Sequence, residues 1–227
     1  MTPTFRCFCA SLAAAACASA SASAGLCESG QRQSPIDIRQ TARSELPALR
    51  ASYQTVALKL ANDGHTVRVR FDKGNLLRIG KETFTLQQFH FHTPGGDKIA
   101  GEEFPMAAHL LHKSPSGQLL AVVVLFRTGK ENALLQTLLP LIPTTKGADR
   151  LFTGTSVNAN QLLPPKLNYF RYAGSLTGPP CTEGVEWIVM KEPLELSLGQ
   201  LAQYRQVFAD NARAVQPLHR RTVLESQ

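Results

Sequence analysis

The chain has 227 residues, 43% of them hydrophobic and 18% charged, with a formal net charge of +7. Its basic residues are scattered, as at Arg68, Arg70, Lys73, Arg78 and Lys81, and form no Lys/Arg block with interleaved aromatics. That argues against nucleic acid as a partner and leaves an anionic substrate or product compatible with the charge.

The first element is a leader. Arg6 is the only charged residue before Glu28, and residues 10–24 are small or apolar and end in an Ala-x-Ala pattern. We read residues 1–24 as a signal peptide, and the product as periplasmic or secreted. Cys17 offers lipid anchoring as a second route; its Ala-only approach argues against that. Beyond the leader no stretch is apolar enough to span a bilayer. Residues 25–227 fit one domain with a real core. Cys27 and Cys181 remain as an even pair in an oxidising compartment, which predicts a disulfide. Closing so long a loop adds at most roughly 4–5 kcal/mol in the chain-entropy model.

The mature chain reads as mainly β with a few short helices. Residues 56–60, 65–71 and 83–92 alternate apolar and polar, as half-buried strands do. Residues 119–126, LLAVVVLF, form a continuous apolar run suited to a strand buried on both faces. Residues 185–190 read as another interior strand. Turns fall at Asp63-Gly64, Lys73-Gly74-Asn75, Pro94 to Asp97 and Pro115-Ser116-Gly117. One helix is expected over 130–139, ending at Pro140. A second is expected over 197–208, opened by a Ser197-x-x-Gln200 capping box, with Leu198, Leu201, Val207 and Phe208 toward the core. There is no internal repeat and no linker between domains.

Six histidines are present, and three of them have the pattern of a metal site. In Gln88-Phe89-His90-Phe91-His92, alternation puts both histidines on one face and both phenylalanines on the other. The third ligand must come from a neighbouring strand, with His109 the candidate and His112 its competitor. Positions three apart on a strand face opposite ways, so the two cannot both serve. Gln88 shares the face of His90 and can fix its tautomer. Three neutral imidazoles suit zinc and leave one tetrahedral corner open.

Gln-Phe-His-Phe-His at 88–92, Ala-His-Leu-Leu-His at 108–112 and Gly-Ser-Leu-Thr-Gly-Pro-Pro-Cys at 174–181 jointly resemble the α-class carbonic anhydrases. Gln-Ser-Pro-Ile-Asp-Ile at 33–38, Asn-Asp-Gly-His at 62–65, Val185-Glu186-Trp187, Asn211-Ala-Arg213 and Gln216-Pro217-Leu218 extend the likeness over almost all of the mature chain. The short loops and the positions of Cys27 and Cys181 are similar to the bacterial branch. The resemblance implies a large twisted mixed β-sheet with a conical cavity. It implies reversible hydration of carbon dioxide to bicarbonate and a proton by zinc-bound hydroxide, with esters as a side substrate. It implies zinc on His90, His92 and His109, with Gln88 and Asn211 behind the ligands. Thr177 would orient the hydroxide and His65 would shuttle the proton. Leu111, Val122, Leu176, Val185 and Trp187 would form the apolar wall for carbon dioxide. Sulfonamide and anion inhibitors are expected, and the oligomeric state stays open.

Three departures from the family pattern bear on activity. Ala107 stands where the family places a Glu two residues before the third histidine. Gly96 stands where bacterial relatives place the Glu that accepts the threonine hydroxyl proton, with Glu102 and Glu103 the only nearby substitutes. An aromatic-rich segment before the first cysteine is lost or truncated. These changes keep a second reading in play: a non-catalytic or strongly impaired carbonic anhydrase-related zinc protein.

Overall fold

The computed structural model describes residues 25–227; the leader read over 1–24 lies outside the described residues. After a helical turn at 25–29 the chain enters β1 (Asp37–Ile38), β2 (Ala42–Arg43), β3 (Leu49–Ser52), β4 (Val56–Asn62) and β5 (Val67–Arg70). Next come β6 (Leu76–Ile79), β7 (Glu82–His92), β8 (Lys98–Ile99), β9 (Met106–Lys113) and β10 (Leu119–Thr128). Helix α1 (Ala133–Leu138) precedes β11 (Arg150–Val157), β12 (Tyr169–Ser175), β13 (Glu183–Met190) and β14 (Leu194–Leu196); α2 (Leu198–Arg205) and β15 (Leu224–Glu225) complete the chain. No helix among the described residues is long and apolar enough to cross a membrane.

One 13-stranded mixed sheet dominates, in the order β11-β4-β5-β7-β9-β10-β13-β12-β15-β2, with β3, β6 and β14 attached off that path. The long interior strands sit at its centre because their sequences offer no polar face. From Leu120 to Phe126, β10 is buried throughout, pairing antiparallel with β9 and parallel with β13. The sheet therefore carries a core on each face. One contains Phe84, Phe89, Phe91, Leu110, Val122, Phe126 and Tyr204; the other contains Ile36, Phe104, Ala107, Ala121, Val123, Tyr172, Val185 and Trp187.

The helices are capped as their sequences predict. Asn132 accepts from the backbone N–H groups of Leu134 and Leu135, and Ser197 and Gln200 form the reciprocal capping box. As expected, α1 ends before Pro140, which sits in a 3₁₀ turn over Leu139–Leu141 where its missing N–H costs nothing. One detail differs from expectation. Leu198 is 68% exposed rather than core-facing; as the first residue after the cap it lies where α2 has not yet turned onto the core.

The Cys27–Cys181 disulfide is formed, with Cα atoms 5.1 Å apart. It ties the N-terminal segment to the turn after β12. Arg213 reinforces that tie, donating to Gln33 Oε1, the Ser34 carbonyl and the Cys27 carbonyl.

Candidate metal centre

The centre is set by the register of β7 against β9. His90 lies directly across from His109, and His92 across from Ala107. A register shift between Leu86 and Gln88 sets the parity, so Gln88, His90 and His92 share one face with Leu111, His109 and Ala107. Phe89 and Phe91, both fully buried with ring centroids 5.6 Å apart, anchor the strand from behind.

The three imidazoles converge. One potential ligand atom from each lies within 4.8 Å of the other two. His90 Nε2 and His92 Nε2 are 3.0 Å apart. Zinc–nitrogen bonds of about 2.0–2.1 Å imply about 3.3–3.4 Å between ligands of a tetrahedral ion, close to this spacing. The far nitrogens explain the aim. His90 Nδ1 lies 3.0 Å from Gln88 Oε1, and His92 Nδ1 lies 3.1 Å from the Asn211 carbonyl. Both neighbours accept, so each Nδ1 carries the proton and each Nε2 turns its lone pair inward.

His109 differs. Its Nε2 is closed off and has no hydrogen-bond partner. Ala107, two residues back on the same face, is fully buried and offers none. Trp187 meets the ring edge-on at 5.2 Å. A buried N–H left without an acceptor costs roughly 1–3 kcal/mol. The donor set fits zinc, and the enclosed Nε2 leaves Nδ1 as the nitrogen available to an ion.

The electrostatics favour neutral rings. Burial pushes His90 well below the usual imidazole value, helped by neighbouring His92 and Arg68. Burial does the same to His109, helped by His92 and His90. His92 is lowered by burial against the opposing hydrogen bond to Asn211 and the charge of Asp63. Neutral rings keep their lone pairs for a metal.

A cavity of about 580 Å³ opens over the site, lined by His65, Arg68, Gln88, His90, His92, Thr177 and Arg213 among others. His65 is exposed on the β4–β5 turn, its carbonyl accepting from Asn211 Nδ2 at 2.7 Å. Thr177 is half-buried in a turn held by Leu176 N–H to the Thr182 carbonyl and by Cys181 N–H to the Gly178 carbonyl. Trp187 Nε1 donates to the Ser175 carbonyl and steadies the start of that turn.

The structure settles several sequence-level expectations. His112 is not the third ligand. It is fully buried on the opposite face of β9, its Nε2 2.7 Å from Tyr53 Oη, and burial pushes it down to about 4. Leu111, Leu176, Val185 and Trp187 gather in one apolar cluster beside His109, but Val122 does not join them. Its side chain packs in the opposite core, and Ala121, paired with Leu111 and Trp187, takes the place beside them. Glu102 is exposed and Glu103 pairs with Lys98 instead of reaching Thr177. Gly96 has φ of 84°, a left-handed conformation that a glutamate would adopt only under strain.

Sequence reasoning missed two residues. Arg68 lies across from His90 and lines the cavity, a placement that the alternation of β5 signals once its register with β7 is known. Asp97 is buried, receiving Ile36 N–H at 3.0 Å and Tyr172 O–H at 2.9 Å on Oδ1, and burial pushes it up to about 7. Nothing in the local sequence marks it as buried.

A large twisted sheet on which three imidazoles converge beside an open cavity defines a candidate three-histidine metal protein. The chain belongs to the eukaryotic-type, or α, carbonic anhydrase family, a family of carbonate dehydratases (lyases) whose description matches residues 19–227. It is 41% identical over 202 residues to a carbonic anhydrase of Neisseria gonorrhoeae, covering 88% of this chain and 79% of that one. Among solved structures it is similar to the α-carbonic anhydrase of Photobacterium profundum, with a TM-score of 0.83 and 41% identity over 88% of this chain and 92% of that one. The α-carbonic anhydrase of Thermovibrio ammonificans, in complex with the inhibitor sulfanilamide, gives a TM-score of 0.84 and 38% identity over 88% and 89%.

Proposed function

We propose that this chain is an exported, zinc-dependent enzyme that interconverts carbon dioxide and water with bicarbonate and a proton. The observation that carries this reading is the convergence of His90, His92 and His109 below a cavity that also holds Thr177 and His65. Zinc, when bound, supplies a Lewis acid that draws the ionisation of a coordinated water toward neutrality, a shift for which carbonic anhydrase is itself the reference case.

The chain's own groups do the rest. Gln88 and the Asn211 carbonyl hold two rings in the tautomer that faces the metal. Leu111, Ala121, Leu176, Val185 and Trp187 give a neutral, apolar substrate a dry resting place. The Thr177 hydroxyl orients the attacking oxygen, and its backbone N–H helps to hold the substrate. His65 at the cavity mouth relays the released proton to buffer. Arg68 and Arg213 line the wall, with Asp63 and Asp210 beside them. Sulfonamide inhibition is expected, as in the Thermovibrio complex.

A second reading has a specific observation in its favour. Gly96 brings no acceptor to the Thr177 hydroxyl, and the enclosed nitrogen of His109 lacks a direct partner. Both features point to slow turnover or to a non-catalytic carbonic anhydrase-related zinc protein. Stopped-flow hydration of carbon dioxide by zinc-loaded protein separates the two. Activity above a His90→Ala control, abolished by a sulfonamide, supports the enzyme. Stoichiometric zinc with activity equal to that control supports the second reading.

A further inference from the structure

Among the enclosed polar atoms that lack partners are His109 Nε2 and Asp97 Oδ2. They are chemically complementary. If His109 meets the metal through Nδ1, its Nε2 carries the proton and must donate, whereas a carboxylate oxygen accepts. They also border the same apolar cluster. Asp97 Oδ1 is bound by Tyr172 O–H, Tyr172 stacks on Trp187 with centroids 5.7 Å apart, and Trp187 meets His109 edge-on at 5.2 Å. Ala107, Ile36 and Phe104 belong to that cluster too. Ala107, two residues before His109 on the same strand face, ends in a methyl and offers no acceptor.

Resting on the zinc reading above, we propose that Asp97 is the positioning residue for His109, receiving its Nε2–H through one buried water beside Ala107. A carboxylate at position 107 would share the strand face of His109; Asp97 lies on the β7–β9 connection and makes no direct hydrogen bond to the ring. Buried waters of this kind join polar groups that would otherwise be unsatisfied. The arrangement rebuilds a carboxylate–histidine–zinc relay from a different strand connection. It also gives Asp97 a purpose: Ile36 N–H and Tyr172 O–H occupy one oxygen only, leaving the other without a protein partner.

The test is a zinc-release cycle on the mature protein: Asp97→Asn, Ala107→Glu and the double variant, each loaded with zinc and challenged with a chelator. Asp97→Asn keeps an oxygen for Ile36 and Tyr172 and turns the free oxygen into a donor. The expected result is zinc release about tenfold faster or more, and no further acceleration when Asp97→Asn is added to Ala107→Glu, because the new carboxylate braces the ring directly. Release unchanged by Asp97→Asn overturns the proposal. So does an equal acceleration in both backgrounds, which is what general loosening of the fold produces. If Asp97→Asn does not fold, cobalt-loaded unaltered protein decides: a slowly exchanging His109 N–H supports the water relay, and exchange as fast as that of free imidazole overturns it. Failure of the unaltered chain to take up zinc would instead sink the zinc reading itself.

Discussion

The histidines on β7 and the histidine on β9 converge on one point but are held differently. His90 and His92 each have an acceptor on the far nitrogen, Gln88 Oε1 and the Asn211 carbonyl. His109 has no direct protein partner on its far nitrogen, which is enclosed, and its ring packs edge-on against Trp187. A hydrogen bond fixes both the rotation of a ring and the place of its proton, whereas packing fixes only the rotation. The contrast locates the weak side of the site at β9 and makes its consequences measurable.

The largest effect is expected from removing a β7 ligand outright. His92→Ala should weaken zinc binding on the order of a thousandfold, about a third of a binding free energy of roughly 10–16 kcal/mol. Equilibrium competition against a chelator measures it. A loss of only a few fold would mean that the two strands do not share one ion.

The two faces of β9 give the next effect. Burial lowers His112 to about 4. The unfolded chain takes up this proton below about pH 6.5, while the folded chain refuses it until about pH 4. Its contribution to stability is therefore full above pH 6.5 and falls by roughly 3 kcal/mol as pH drops to 4. Asp97 has the opposite sign: raised to about 7, it favours the folded state below its unfolded value, and that contribution is lost as pH rises toward 7. Urea midpoints of metal-free protein and of His112→Gln should accordingly converge between pH 6.5 and 4. A constant difference would contradict the buried neutral imidazole.

How much of this was legible in the sequence depended on parity. Alternation in 83–92 gave the shared face of His90 and His92 directly, because polar residues marked every second position. The run LLAVVVLF carried no such mark and could not check the placement of Val122 that the resemblance implied; Val122 packs in one core and Ala121 in the other, with Trp187. The choice between His109 and His112 needed the partner of each face, and Tyr53, far away in sequence, supplies it for His112. Strand β11, RLFTGTSV at the sheet edge and mostly exposed, has neither a hydrophobic run nor clear alternation and went unread. Asp97 was invisible because its burial comes from β1 and β12 packing over the β7–β9 connection.

The braces themselves offer a smaller and sharper comparison. Gln88→Ala should speed zinc release by about 10–100-fold, as loss of such an outer partner does. Ala107→Glu should slow release, since it gives His109 what His90 already has. Equal release rates in Ala107→Glu and the unaltered protein would erase the proposed difference between the strands. The smallest effect concerns the cavity mouth. His65→Ala should lower hydration about tenfold in weak buffer, near the low end of what a positioned proton-transfer group contributes. Added imidazole should restore the rate; a variant indifferent to buffer would remove His65 from the proton path.

X-ray absorption at the zinc edge of the loaded protein tests the central claim most directly. Three imidazole nitrogens at about 2.0–2.1 Å and one further light atom from solvent are the expected shell. Sulfur in the shell, fewer than three imidazoles, or a folded protein that takes up no zinc would contradict it.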